Sequence, residues 1–257
     1  MTPEQRQDAI VTQARSGARL AVDLLASTLG ASRETIRRDL AALDRRGVLR
    51  RVHGGAVLCH AVAGPPAEGP FADRMVQAVA AKRAMARHVA AGLLPGDSLF
   101  IDTGSTTLYL AEEIARRSGL IIITNSTDIA ACCQRGARNK VVLIGGEFRG
   151  PGRGTVGALA LAQISQLRAA RAILTVAAVS ERGIFDIDSD EAEVARRMVQ
   201  QADTVTIMAD ASKMGRAGVF EVCPLHSVAV LVTEAMPAPL RRLIEAAGAR
   251  VDLVPLD

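Results

Sequence analysis

Ser32-Arg33-Glu34-Thr35-Ile36-Arg37-Arg38-Asp39-Leu40 is the stretch from which the fold of the N-terminal quarter is read. Ser32 stands where an N-cap belongs, its hydroxyl able to accept a bond from an early helix N–H. Behind it Ile36, Leu40 and Leu43 recur at i, i+4 and i+7, one apolar stripe, which predicts a helix over Arg33–Arg46. The other faces of that helix carry Arg33, Glu34, Thr35, Arg37 and Arg38. Immediately upstream, Gly30-Ala31 is too short for anything but a tight turn, and Ala21–Leu29 offers Val22, Leu25 and Leu29 to the same core. A further helix fits Pro3 to about Ser16, with Ile10 and Val11 inward and Gly17 as its stop. Two short helices joined by a tight turn, the second with a basic outward face, spell a helix-turn-helix over about residues 20–39.

Working downstream, Val48–Val52 and Ala56–Leu58 bracket His53-Gly54-Gly55, two β-rich runs around a glycine turn. Such a hairpin is the wing of a winged helix, and Arg50, Arg51 and His53 would reach a phosphate backbone from it. Charge agrees with this placement. Residues 1–60 hold ten arginines against six acids, whereas the remaining 21 basic and 21 acidic residues cancel, so the whole net charge of +4 sits in the first quarter. Local positive charge on a small unit is the electrostatic footprint of a nucleic-acid contact.

Ala61 to Pro70 contains three prolines and two glycines without apolar period and reads as a linker. Beyond it β-rich runs alternate with helical stretches. Strands are expected at Ser98–Asp102, Leu120–Thr124, Val141–Ile144, Ala172–Val179, Thr204–Ala209, Val228–Thr233 and Arg250–Val254. Helices are expected at Lys82–Gly92, Thr107–Ser118, Thr127–Gln134, Ala158–Leu167, Glu191–Ala202 and Pro239–Ala247. Alternation with near-continuous apolar strands argues for a largely parallel α/β sheet covered on both faces. Ligands in such sheets bind beyond the carboxyl ends of the strands, so the loops that follow strands matter most.

Four of those loops are polar. Asp102-Thr103-Gly104-Ser105-Thr106-Thr107 runs straight into a helix, and Gly104 with the three hydroxyls and free helix N–H groups would cradle an anion. Asn125 follows the second strand, and Gly145-Gly146-Glu147-Phe148-Arg149 follows the third. Asp210 and Lys213 follow the fifth, a hydroxyl acceptor and a point charge for phosphate. Together they suit a phosphorylated sugar or polyol. The acidic run Asp186–Glu191 lacks the glycine and spacing of an EF-hand and reads as a solvated loop capping the next helix.

Composition narrows the classes. Hydrophobic residues make up 49% and charged residues 23%, enough for packed cores in two domains. Aromatics are only 2%, with no Trp, which argues against base-stacking platforms for single strands. Cys59, Cys132, Cys133 and Cys223 make no CxxC pair and the four histidines no ligand cluster, so neither metal nor cofactor is expected. No apolar run reaches the roughly 18–20 residues of a membrane span, and MTPEQRQDAI is too polar for a signal peptide, so a cytoplasmic protein is expected.

The strings Thr35-Ile36-Arg37-Arg38-Asp39-Leu40 and Arg51-Val52-His53-Gly54-Gly55-Ala56 resemble the DeoR family of bacterial transcriptional regulators. D-x-G-S-T-T, T-N-S, G-G-E-x-R, Glu191-Ala192-Glu193-Val194 and D-x-S-K-x-G-R resemble that family's sensor domain, so the likeness covers nearly the whole chain. It implies a winged helix-turn-helix over 1–60, a linker over 61–70, and an effector-sensing and oligomerisation domain over 71–257 with a fold similar to ribose-5-phosphate isomerase. It implies a recognition helix at Arg33–Arg46, with Thr35, Arg37 and Arg38 facing the major groove and Ser32 near a phosphate. It also implies a phosphosugar effector, with Ser105, Thr106, Thr107 and Lys213 nearest the phosphate and Asp102, Asn125, Glu147 and Arg149 around the rest. Thr175 and Ala178 stand where the family usually has glycines, and side chains there narrow any backbone approach to a ligand; Ala195 stands where a Lys is common. The resemblance thus implies a repressor of carbohydrate genes acting on a duplex operator as a homodimer or homotetramer. Two other readings are a sugar-phosphate isomerase-like enzyme with a DNA-binding appendage, and an effector-independent DNA-binding oligomer.

Overall fold

The computed structural model describes residues 3–14, 20–45, 49–52, 55–58, 69–135, 138–150 and 153–256. The chain divides into two compact units, Met1–Gly64 and Pro65–Asp257.

In the first unit α1 (Pro3–Ala14) precedes a two-residue strand β1 (Leu20–Ala21), then α2 (Val22–Leu29) and α3 (Arg33–Arg45). A hairpin of β2 (Leu49–Val52) and β3 (Gly55–Leu58) follows. Antiparallel pairing in the order β1-β3-β2 makes a three-stranded sheet, where the sequence announced only the hairpin. Ile10, Leu25, Ile36, Leu40 and Leu43 form its core, all at most 2% exposed, with Val11, Val22 and Leu29 packed against them. Those are the positions the helical period selects. The turn between α2 and α3 works because Gly30 adopts φ +60, where its N–H reaches back to the Ala26 carbonyl and closes α2. Ser32 then accepts the Thr35 N–H at 3.1 Å and starts α3.

The second unit opens with α4 (Phe71–Val76) and α5 (Val79–Ala91), separated by Ala78 at φ +49. Strand β4 (Ser98–Ile101), α6 (Ser105–Ile114), β5 (Ile121–Thr124), α7 (Thr127–Gln134) and β6 (Lys140–Leu143) follow in alternation. A small hairpin, β7 (Glu147–Arg149) and β8 (Gly154–Val156), leads to α8 (Ala158–Ser165). Then come β9 (Ala169–Thr175), β10 (Ala178–Ser180), β11 (Gly183–Asp186), α9 (Ser189–Gln200) and β12 (Ala202–Met208). The unit closes with β13 (Phe220–Cys223), β14 (Val230–Thr233), α10 (Ala238–Ala246) and β15 (Arg250–Leu253).

Seven strands form the main sheet in the order β15-β14-β12-β9-β4-β5-β6, every pair parallel. Both faces are covered, and strands β4, β5 and β14 are accordingly apolar and buried along most of their length. Leu99, Ile101, Ile122, Ile173 and Met208 face a core with α5, α6 and α7, while their neighbours Phe100, Ile123, Leu174 and Ile207 face a core with α8, α9 and α10. A second, antiparallel sheet runs β10-β11-β13.

The expected single strand Ala172–Val179 is corrected. Its backbone leaves the main sheet after Thr175, whose N–H is donated to the Asp102 carboxylate at 3.0 Å, and Ala177 N–H goes to the Phe185 carbonyl. Ala178–Ser180 therefore belongs to the small sheet. Residues 61–68 of the expected linker lie outside the described residues, as do His53, Gly54 and Cys59; Gly69 and Pro70 are exposed. Cys132, Cys133 and Cys223 are buried free thiols, and burial pushes the last two up to about 12. No helix among the described residues is long and apolar enough to cross a membrane.

Candidate functional site

Two surfaces concentrate polar chemistry, one in each unit. On α3, Ser32, Arg33, Arg37 and Arg38 are exposed and Thr35 is half-buried. Ser32 and Thr35 hydroxyls meet at 2.8 Å. Arg33 pairs with Asp23 at 2.8 Å and Arg38 with Glu34 at 3.6 Å, but all four side chains are more than half exposed. Pairs of that kind contribute about 0–1 kcal/mol, so an incoming phosphate exchanges with them at little cost. Asp39, though inside the same motif, faces the other way. It is 4% exposed and accepts from Arg6 at 2.5 Å and Gln7 at 3.2 Å, fastening α1 to α3. Arg50 and Arg51 lie on β2; their side chains, and His53, are outside the described residues.

In the second unit a cavity of about 270 Å³ opens at the carboxyl ends of β4, β5, β9 and β12. Six of the sequence-predicted effector residues line it: Asp102, Ser105, Thr106, Asn125, Asp210 and Lys213. Ser105 and Thr106 are buried in the first turn of α6, where unpaired N–H groups favour negative charge. Asp102 is 6% exposed. Burial pushes its carboxyl well above the ordinary range; the Thr175 N–H works against this, and the charges of Asp186 and Glu191 add to it. Asp210 caps the short 3-10 turn Ala211–Lys213 by accepting the Ser212 N–H at 2.9 Å, and that turn carries Lys213. Asn125 is 1% exposed; its amide donates to the Thr155 carbonyl at 3.0 Å, while its buried Oδ1 has no hydrogen-bond partner among the described residues.

The remaining six are not brought to the cavity. Thr107 is fully buried and turns its hydroxyl to the Asp102 and Gly104 carbonyls, fixing the loop. Gly104 lies under Thr175, whose Cγ2 comes within 2.1 Å of where a Cβ would stand. Gly145 donates its N–H to Gln163 at 3.0 Å, and Gly146 rests against Val156 and Ala160, so this loop folds onto α8. Glu147 and Arg149 are exposed on β7, paired with each other at 3.1 Å, and Arg149 reaches Asp190 at 2.5 Å. The third polar loop, Gly145–Arg149, thus serves the hairpin.

In its place the cavity takes residues that no strand-end motif flagged, Arg74 and Gln77 from α4 and its end, Lys82 from α5, and Asp186 and Glu191 from the acidic run, together with Arg216, the last residue of the D-x-S-K-x-G-R string. Lys82 is 4% exposed and donates to the Arg74 carbonyl and, at 3.0 Å, to the Ser105 hydroxyl. A lysine four residues into an alanine-rich helix carries no signal of its own; its position facing the helix N-terminus of α6 does. The acidic run caps α9 as expected, Asp188 accepting Asp190 and Glu191 N–H groups, but Asp186 and Glu191 also face the cavity. Among the described residues no cluster of three or more His, Cys, Asp or Glu is disposed to hold a metal ion.

A helix-turn-helix with a basic exposed face, followed by an α/β unit with a polar cavity at its strand ends, defines a DNA-binding transcriptional regulator carrying a ligand-sensing domain. Comparison with known proteins agrees. A family profile described as DeoR-like helix-turn-helix domain matches residues 6–62, and one described as DeoR C terminal sensor domain matches residues 77–235. The chain is 34% identical to the transcriptional repressor AccR of Agrobacterium fabrum over 90% of this chain and 89% of that one. It is 29% identical to the glycerol-3-phosphate regulon repressor of Escherichia coli over 92% and 93% respectively. Among solved structures it aligns with ribose 5-phosphate isomerase A from Methanocaldococcus jannaschii over 52% of this chain and 53% of that one, at 15% identity and a TM-score of 0.38. The chain belongs to the DeoR family.

Proposed function

We propose that this regulator is a repressor of carbohydrate genes, and that a phosphorylated sugar or polyol bound in the cavity lowers its affinity for a duplex operator. The observation that carries this reading is the cavity's mixed lining. Lys82 and Lys213 with the α6 N-terminus suit a phosphate, while Asp102, Asp210 and the open acceptor of Asn125 suit hydroxyl groups. The name of the E. coli relative, a repressor of the glycerol-3-phosphate regulon, supports the same effector class. Operator binding falls to Ser32, Arg33, Thr35, Arg37 and Arg38 on α3, with Arg50, Arg51 and His53 in the wing. A two-fold operator asks for a two-fold protein, so the working species is a homodimer or homotetramer.

The effector need only bind the DNA-incompetent arrangement more tightly than the competent one; that difference is the whole regulatory free energy. Fluorescence anisotropy of the protein on its own upstream DNA, titrated with a panel of phosphorylated and unphosphorylated sugars and polyols, tests the proposal. One or more phosphorylated compounds should raise the melting temperature and weaken DNA binding, with their unphosphorylated forms inert. Arg37→Ala should weaken operator binding about tenfold or more without moving the melting temperature. DNA binding indifferent to every compound would leave an effector-independent oligomer, and turnover of one would leave an enzyme; either result overturns the proposal.

A further inference from the structure

The segment Gly69–Ala78 lies across the cavity as a strap. Gly69, Arg74, Gln77 and Ala78 line the cavity, and α4 within the strap contributes no fully buried residue. It is held down by polar ties. Lys82 donates to the Arg74 carbonyl and Tyr109 Oη donates to the Met75 carbonyl at 2.9 Å. The Phe71 ring takes the guanidinium groups of Arg74 and Arg153 at 5.5 and 5.9 Å from its centroid. At its far end Ala78 sits at φ +49, a conformation that costs a non-glycine residue energy and breaks α4 from α5. At its near end the chain is four residues from the start of this unit, so the strap is the covalent lead from the DNA-binding unit into the sensor.

Lys82 links that strap to the site. Its buried ammonium bonds at once to the strap, through the Arg74 carbonyl, and to Ser105 in the first turn of α6. An anion seated at that turn therefore arrives beside the group that fastens the strap. A charged phosphate oxygen is a far stronger acceptor for an ammonium than a neutral carbonyl. The unpartnered Oδ1 of Asn125, 1% exposed in the same cavity, independently marks a place for a ligand donor and so for a hydroxyl on the molecule that brings the anion.

We propose that Lys82 is the receptor for the effector's anionic group and the latch of the strap, so that occupation of the cavity is passed to the DNA-binding unit by loosening Gly69–Ala78. This inference rests on the effector reading above and adds the route by which the site acts. Tyr109 lies outside the cavity lining; its ring packs in the core, and its hydroxyl, bonded to the Met75 carbonyl, is a positioning group for the strap.

Hydrogen exchange on the full-length chain, read at residues 69–78 and at Ser105–Thr107, separates the two claims, with inorganic phosphate and glycerol 3-phosphate as probes. In the wild type a probe should slow exchange at Ser105–Thr107 and speed it about tenfold in the strap. Lys82→Met removes both roles at once: it should weaken the probe at least about tenfold, and its strap should exchange fast whether or not the probe is present. Tyr109→Phe should bind the probe within about twofold of wild type while its strap exchanges fast with or without it, and its DNA binding should lose the response to the probe. Protection at Ser105–Thr107 with an unchanged strap overturns the coupling and leaves the effector reading standing. Protection nowhere in the cavity overturns both.

Discussion

At Gly104 the backbone is extended, at φ 176, so no torsional demand requires glycine there. Packing does: a Cβ would stand 2.1 Å from Thr175 Cγ2 and 3.1 Å from Thr107 Oγ1. Gly104→Ala should therefore cost about 1–3 kcal/mol by overpacking, and Thr175→Ala, which removes that methyl, should restore most of it. A double-mutant cycle in urea denaturation measures this coupling; additive effects would show that the two positions do not interlock. Thr175 was legible in the sequence as a side chain where glycine is usual, but its partner was not, because the contact crosses 71 residues. Asp39 teaches the same lesson more strongly. It directly follows the exposed Arg37 and Arg38, yet its carboxylate is buried on Arg6, 33 residues away. Removing one partner of such a pair leaves the other charge uncompensated, so Asp39→Ala should destabilise the first unit by on the order of 3 kcal/mol. Chemical denaturation followed at that unit checks it. Spacing within a helix tells which residues share a face; it does not tell which far segment covers that face.

The elements that sequence revealed are those with a long apolar period or run: the α1–α3 stripes and the inner strands of the main sheet, such as β4, β5 and β14. The elements it hid are short and mixed. Helix α4 buries no residue fully, and β7 is exposed along its length, so neither writes a period. The cavity follows this division. Its strand-end loops were legible because they interrupt apolar strands, while Arg74, Lys82, Asp186 and Glu191 come from elements chosen by tertiary packing. One contact between elements has a measurable pH signature. His88 on α5 meets Asp252 on the outermost strand β15 at 2.9 Å, and Arg250 meets the same carboxylate at 2.8 Å. Partial burial would raise the Asp252 carboxyl, but the His88 and Arg250 hydrogen bonds outweigh it and hold it below the ordinary range. A carboxyl lowered on folding stabilises the fold above its unfolded value, about 3.9, and loses that contribution as pH falls through its folded value. With His88 half exposed, the contribution is about 0.5–1 kcal/mol. Asp252→Asn should thus lower stability by that amount at pH 6, and the gap from wild type should close below about pH 3.9. A gap that persists unchanged to pH 3 would assign the effect to packing instead.

Across the whole molecule, charge and core are divided along the same line. The first 60 residues carry the entire net charge, and their core of five large side chains is a cluster apart from the two that sandwich the main sheet. A unit of about 60 residues buries only about 60% of its unfolded surface, so it is marginal by size alone, whereas one near 190 residues has much more to lose. Separate cores of such unequal size should melt separately. Calorimetry of the full-length chain at low salt should show two transitions, the smaller at lower temperature. Asp39→Ala should lower the first by about 10 °C or more and leave the second in place; Asp252→Asn should move only the second, by about 1–3 °C. Operator DNA should raise the first transition, by an amount that shrinks as salt is added, because the basic unit gains from counterion release. A phosphorylated effector should raise the second. A single transition moved by both variants would mean that the units unfold as one body, and the sensor's message would then pass through shared packing rather than through the chain that joins them.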